Sequence, residues 1–175
     1  MTHPNPVLAA IFQRRSVRKY TDQAVETEKL EVLLQAAMAA PSAMNCKPWE
    51  FVVITDAAKL EQCRKRLIFG NRNAPAAILV CGNPEASANR AAKHFWVQDC
   101  SAATQNILLA AHSMGLCSCL IGFAVVAMKR DRSIQRFIGI PAEEEVHAVI
   151  ALGYSDEVYQ RVAGRKKVIP RYFEG

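Results

Sequence analysis

The chain contains no apolar run near the roughly 18 residues that a membrane-spanning helix needs. Its eight glycines are not spaced as G-x-G-x-x-G, and no G-x-x-x-x-G-K-[ST] occurs, so the usual glycine-rich phosphate cradles are missing. G-x-S-x-G is absent, and with it the nucleophile elbow. H-E-x-x-H is absent too, and Cys117 and Cys119 form a C-x-C with no second pair or nearby histidine to complete a zinc set. His3, His94, His112 and His147 are scattered; His112 and His147 lie in apolar stretches and read as structural. Asp99 is an acidic residue inside an apolar helical stretch, where an aspartate usually caps or pairs. No nucleophile–base–acid set stands out, so an enzyme built on this chain would rely on a cofactor.

Charge is present but dispersed. A formal charge of +6 is spread over Arg14–Lys19, Arg64–Arg66, Lys129–Arg132 and Arg165–Lys167, with no block of five or six like charges. That pattern, without aromatic interleaving, argues against nucleic acid and leaves a small anion such as phosphate as a partner. Six cysteines and an N-terminus whose charges follow its short apolar stretch predict reduced thiols and a cytoplasmic location, not secretion. The length of 175 residues and 51% hydrophobic content predict one globular domain spanning 1–175, with no internal repeat or linker.

Periodicity predicts a short helix over 6–14 and a longer one from Glu28, where Leu30, Leu33, Leu34, Ala37 and Met38 share a face. Pro41 stops that helix by disfavouring helical geometry at Ala40. Short apolar runs at 51–54 and 76–81 predict strands, and 56–68 a helix between them. A long helix is expected over about 91–114, apolar around much of its circumference, with Gly115 as its terminal glycine. A short segment at 117–122, a helix over 126–138 and a central strand at 146–152 complete an α+β or α/β arrangement with one layered core.

Two basic segments, RRSVRK at 14–19 and GRKK at 164–167, combine arginine forks with a hydroxyl suited to phosphate. Composition alone favours reading them as two solvated basic patches. The segment PSAMNCKPWEFVV at 41–53 packs turn residues and a tryptophan against the start of a strand, either as an ordinary helix-to-strand loop or as a loop that touches a ligand.

These blocks carry a resemblance. RRSVRKY, PSAMNCKPWEFVV, the stretch from Trp96 through DCSAATQNILLAAHSMGLCSCLIGF, and AVIALGYSDE with GRKK resemble, in order, four motifs of the FMN-dependent nitroreductase family. The likeness covers nearly the whole chain. It implies an α+β fold with a mostly antiparallel central sheet flanked by helices, and a homodimer with the long helix at its interface and FMN at each end. It implies a flavin oxidoreductase in which NADH or NADPH reduces FMN and a small acceptor, such as a nitroaromatic or quinone, then takes the electrons in a ping-pong cycle. A flavin-binding storage or sensing protein is the alternative.

Carried over by position, the resemblance implies that Arg14 and Ser16 bind the FMN phosphate with Arg165 and Lys167. Arg15 would contact the cofactor mainly through its backbone, and Arg18 would sit at the flavin pyrimidine edge. Pro41, Ser42, Ala43 and Asn45 would line the flavin held by the other subunit, with Trp49 anchoring their loop. Backbone donors around Ile121 and Gly122 would face flavin N5. No catalytic side chain or metal ligand is implied. Two positions depart from the family pattern: Lys47, read as facing water, replaces a usual glutamine, and Cys46 replaces a common serine.

Overall fold

The computed structural model describes residues 4–66, 73–86 and 92–157. Among these residues four strands, β1 (Trp49–Ile54), β2 (Ala76–Gly82), β3 (Cys117–Leu120) and β4 (Glu145–Gly153), form one antiparallel sheet in the order β1-β2-β4-β3. All seven residues of β2 are buried, as expected for a central strand covered on both faces. Helices α2 (Thr27–Met38) and α4 (Trp96–Ser113) cover one face. There Leu33, Ala37, Ala103 and Ile107 meet Ile78, Val80, Ile150 and Leu152. Helices α3 (Ala57–Arg66), α5 (Gly122–Arg130) and α6 (Arg132–Ile138) cover the other, where Leu60, Met128 and Ile134 meet Leu79, Val149 and Ala151. The alternation of side chains along each strand sorts these two sets, so one sheet supports a core on both sides. The fold is α+β, as the resemblance implied.

Three boundaries differ from expectation. The predicted helix over 126–138 is two helices, because Asp131 leaves helical geometry (φ −118°, ψ 87°) and its carboxylate caps Ser133 N–H at 2.9 Å, starting α6 afresh. The long helix begins at Trp96 after a 3-10 turn over Ala92–Phe95. The segment after it is strand β3, which the short apolar–polar mixture CSCL did not announce.

The end of α4 follows the expected chemistry. Gly115 adopts φ 76°, its N–H donates to His112 O at 3.1 Å, and Leu116 N–H donates to Ala111 O at 2.8 Å. This Schellman closure needs a left-handed residue at Gly115 and turns the chain directly into β3. At the other end, the Trp96 ring lies so close to Gly82 that a Cβ there would come within 2.2 Å of it. Nearby, Val80 pairs with Ala148 and Cys81 with Val146, leaving His147 as the extra residue of a β-bulge. The bulge turns His147 towards α4, edge-on to Trp96 at 6.1 Å and with Nε2 3.1 Å from Ser101 Oγ. Burial, then Lys129, holds this imidazole below its ordinary pKa. Among the described residues no helix is long and apolar enough to cross a membrane.

Helix α1 (Pro6–Gln13) is capped by Asn5, whose side chain accepts from Val7 and Leu8 N–H. It packs on α4, yet none of its residues is buried, and Val7, Ile11 and Phe12 face outward.

Candidate functional site

The first group of candidate residues follows α1. Arg15 folds its guanidinium back onto the helix end, donating to the carbonyl oxygens of Phe12, Gln13 and Arg14 at 2.9, 3.1 and 2.8 Å. Its charge is thus used on the carbonyl end of the helix dipole. The chain then runs along the edge of the sheet. Ser16 forms a parallel bridge with Ser118 of β3, and Val17 N–H donates to Ser118 O at 3.0 Å. Val17 and Tyr20 are buried, which pins the segment while Arg14, half-buried, and Arg18, exposed, remain outside the core. Among the described residues neither arginine has an ion-pair partner.

Two neighbours register the positive field. His112, in the last turn of α4, is held below its ordinary pKa by burial and then by Arg14 and Arg15. Burial raises the Cys119 thiol, and Arg18 and Arg14 oppose that shift. Cys119 also places these arginines beside the end of β3, where Ile121 and Gly122 follow. Ile121 is buried and its N–H already donates to Val149 O at 2.8 Å, so this amide is not free for a ligand, contrary to expectation. Gly122 opens α5 and is exposed, and a Cβ there would meet nothing within 4 Å. As the first residue of a helix its N–H lacks an intrahelical acceptor. Arg14, Ser16, Arg18 and Gly122 are therefore gathered at one edge.

The second group is the loop between α2 and β1. Pro41 is exposed; Ser42 and Ala43 are half-buried. Ser42 ties the turn from both ends: its carbonyl accepts Asn45 N–H at 3.0 Å and its Oγ accepts Lys47 N–H at 3.0 Å. Ala43 O accepts Cys46 N–H at 3.1 Å. Met44, Asn45 and Lys47 have φ of 52°, 56° and 48°. Asparagine tolerates this region, but at Met44 and Lys47 it costs roughly 1–2 kcal/mol each. Such strain persists only where the surroundings over-determine it. Lys47 is exposed, as expected, and Met44 is 74% exposed at the tip. Trp49 is buried against the α2–α4 core and fixes the loop's exit, and Asn83 N–H donates to Pro48 O at 2.8 Å.

The loop's tie to the long helix is Asp99. Its Oδ1 accepts Ala43 N–H at 3.0 Å, the pairing role expected of it. The residue is only 6% exposed, and Oδ2 is buried with no hydrogen-bond partner among the described residues. The sequence signal for this was the acidic residue in an apolar helix; its partner, 56 positions away, was not legible.

One chain does not bring the two groups together. The arginine segment neighbours His112 near the end of α4, and the loop hangs from Asp99 near its start. Thirteen residues at 1.5 Å rise separate those points by about 20 Å. Arg165 and Lys167 lie outside the described residues.

Comparison with known proteins identifies the family. The Nitroreductase family matches residues 11–69 and 69–154. An Archaeoglobus fulgidus protein carrying the provisional name NADH dehydrogenase/NAD(P)H nitroreductase is 42% identical over 149 residues, 84% of each chain. An FMN-dependent nitroreductase from Clostridium difficile is 35% identical, with a TM-score of 0.72 over 89% of this chain and 91% of that one. A provisionally named nitroreductase from Desulfovibrio desulfuricans, solved in complex with FMN, is 33% identical, with a TM-score of 0.80 over 95% and 94%. With matches this extensive in both sequence and structure, the chain belongs to the nitroreductase family.

Proposed function

We propose that the protein is an FMN-dependent oxidoreductase that takes hydride equivalents from NADH or NADPH and delivers them to a small acceptor, such as a nitroaromatic or quinone, in a ping-pong cycle. It works as a homodimer in which the Arg14–Arg18 edge of one subunit and the Pro41–Asn45 loop of the other share each FMN. The observation that carries this reading is the separation of about 20 Å between the two groups along α4, which a second copy running in the opposite sense would close. The outward-facing Val7, Ile11 and Phe12 of α1, packed on that same helix, supply apolar surface for such an interface.

The residues fit the cofactor. Arg14 and Ser16 offer a guanidinium and a hydroxyl to a phosphate at a sheet edge where the neighbouring charge is positive. Arg165 and Lys167 are proposed to join them. Arg15 contributes its backbone, since its guanidinium is committed to the end of α1. Arg18 holds positive charge where negative charge develops on reduction. Gly122 presents an open surface and a helix-start N–H to a planar ring. The strained loop presents backbone and small side chains at Ser42, Ala43 and Asn45, excluding water from one side. Bound FMN supplies the hydride transfer itself, so the chain's task is to hold, orient and shield. Cys81, Cys100, Cys117 and Cys119 are free thiols, which fits a cytoplasmic setting.

A visible spectrum of the purified protein, taken without oxygen before and after adding NADH or NADPH, tests the reading. Bound flavin that bleaches on addition is expected. Flavin that resists both donors would point to storage or sensing, and a protein that neither carries nor takes up FMN would refute the assignment.

A further inference from the structure

We propose that Asp99 is a positioning residue that sets the ligand-facing loop, acting through the Ala43 N–H; this rests on the FMN reading above. A carboxylate inside an apolar helix has to be compensated, and here only half of it is. Oδ1 holds Ala43 at 3.0 Å, while Oδ2 is buried with no donor among the described residues. Packing stability alone would be better served by an apolar residue at this position. What the carboxylate gains is control of a turn whose backbone resists its own geometry. Ala43 is the first residue of the 3-10 turn Ala43–Asn45, immediately before left-handed Met44 and Asn45. Anchoring its N–H to the rigid first turns of α4 fixes where that turn starts, and the Ser42 Oγ bond to Lys47 N–H fixes where it ends. The loop is thereby pre-formed, and FMN binding does not have to order it.

The pairing can be cut from either side. Asp99→Ala removes the acceptor. Ala43→Pro removes the donor without touching α4, and Ser42 already has the extended conformation (φ −139°, ψ 153°) that a following proline demands. Each variant, the double variant and Asp99→Asn are compared in two measurements: amide exchange over 42–47 in the apoprotein, and FMN affinity by quenching of flavin fluorescence. Both single variants and the double are expected to lose protection and to weaken FMN binding by a similar factor, about tenfold, because all three lack the same bond. Asp99→Asn, which keeps Oδ1, is expected to stay within about threefold of wild type. Losses that multiply in the double variant, or wild-type protection and affinity in Asp99→Ala, would overturn the proposal. Wild-type protein that itself fails to bind FMN would overturn the functional reading instead, and the exchange data would still decide whether Asp99 holds the loop.

Discussion

If each FMN is shared between subunits, damage to the two groups should be separable in trans. Arg14→Glu reverses the charge at the phosphate edge while leaving the loop intact. Asn45→Val puts a β-branched side chain at φ 56°, which disrupts the loop and leaves the arginines intact. Loss of one or two charge-assisted bonds, roughly 1.5–3 kcal/mol each, should weaken FMN binding about tenfold or more in the Arg14→Glu homodimer. Co-expression with two different affinity tags allows the mixed dimer to be purified. In it, one site receives both lesions and the other receives neither, because the edge of one subunit meets the loop of its partner. The mixed dimer should therefore bind about one FMN per dimer at wild-type affinity and show about half the wild-type NAD(P)H-dependent rate. The arithmetic depends on the separation of about 20 Å along α4, which keeps the two lesions from meeting within one chain. If the sites were assembled in cis, each would carry one lesion and no tight site would remain. A mixed dimer no better than its parents would refute the shared-site reading.

Two further outcomes follow from the packing and from one buried acid. Gly82→Ala should lower stability by roughly 1–3 kcal/mol in chemical denaturation, since its Cβ would fall 2.2 Å from Trp96 Cε3 on a ring that is itself packed against the sheet; an unchanged midpoint would show that Trp96 moves freely. Glu144, 4% exposed, has its carboxyl raised to about 7, first by burial, then by its hydrogen bond with Glu50 and the charges of Glu50 and Glu143, with Cys81 opposing. The native state therefore binds this proton more tightly than the unfolded chain, and stability should fall as pH rises from about 4.5 to about 7. Glu144→Gln should flatten that slope and exceed wild-type stability above pH 7; parallel stability–pH curves for the two proteins would exclude the assignment.

Much of this molecule was legible in one dimension because its signals are local. The face of Leu30, Leu33 and Ala37, the stop before Pro41, and Gly115 at the end of α4 each depend on neighbours within a turn or two. The apolar runs at 76–81 and 146–152 announced strands β2 and β4 for the same reason, the second as a strand covered on both faces. Asp131 shows the limit of periodicity: its capping preference was visible in its residue type, but an apolar pattern running through it read as continuous helix. The arginine segment and the loop could be picked out only as candidates, because residue type carries chemistry wherever the chain goes and the family resemblance singles out both blocks.

What the sequence by itself determined, then, is most of the elements, their buried faces and a basic segment whose chemistry suits a small anion. Tertiary structure alone decided which of them meet. It bonded Asp99 to Ala43 and left Oδ2 without a partner among the described residues, turned Arg15 back onto α1, spent Ile121 N–H on Val149, and set the arginine edge and the loop at opposite ends of one helix. The physical reason is that propensity and periodicity act over a few residues, whereas these contacts span tens of positions and depend on how a sheet and a long helix pack.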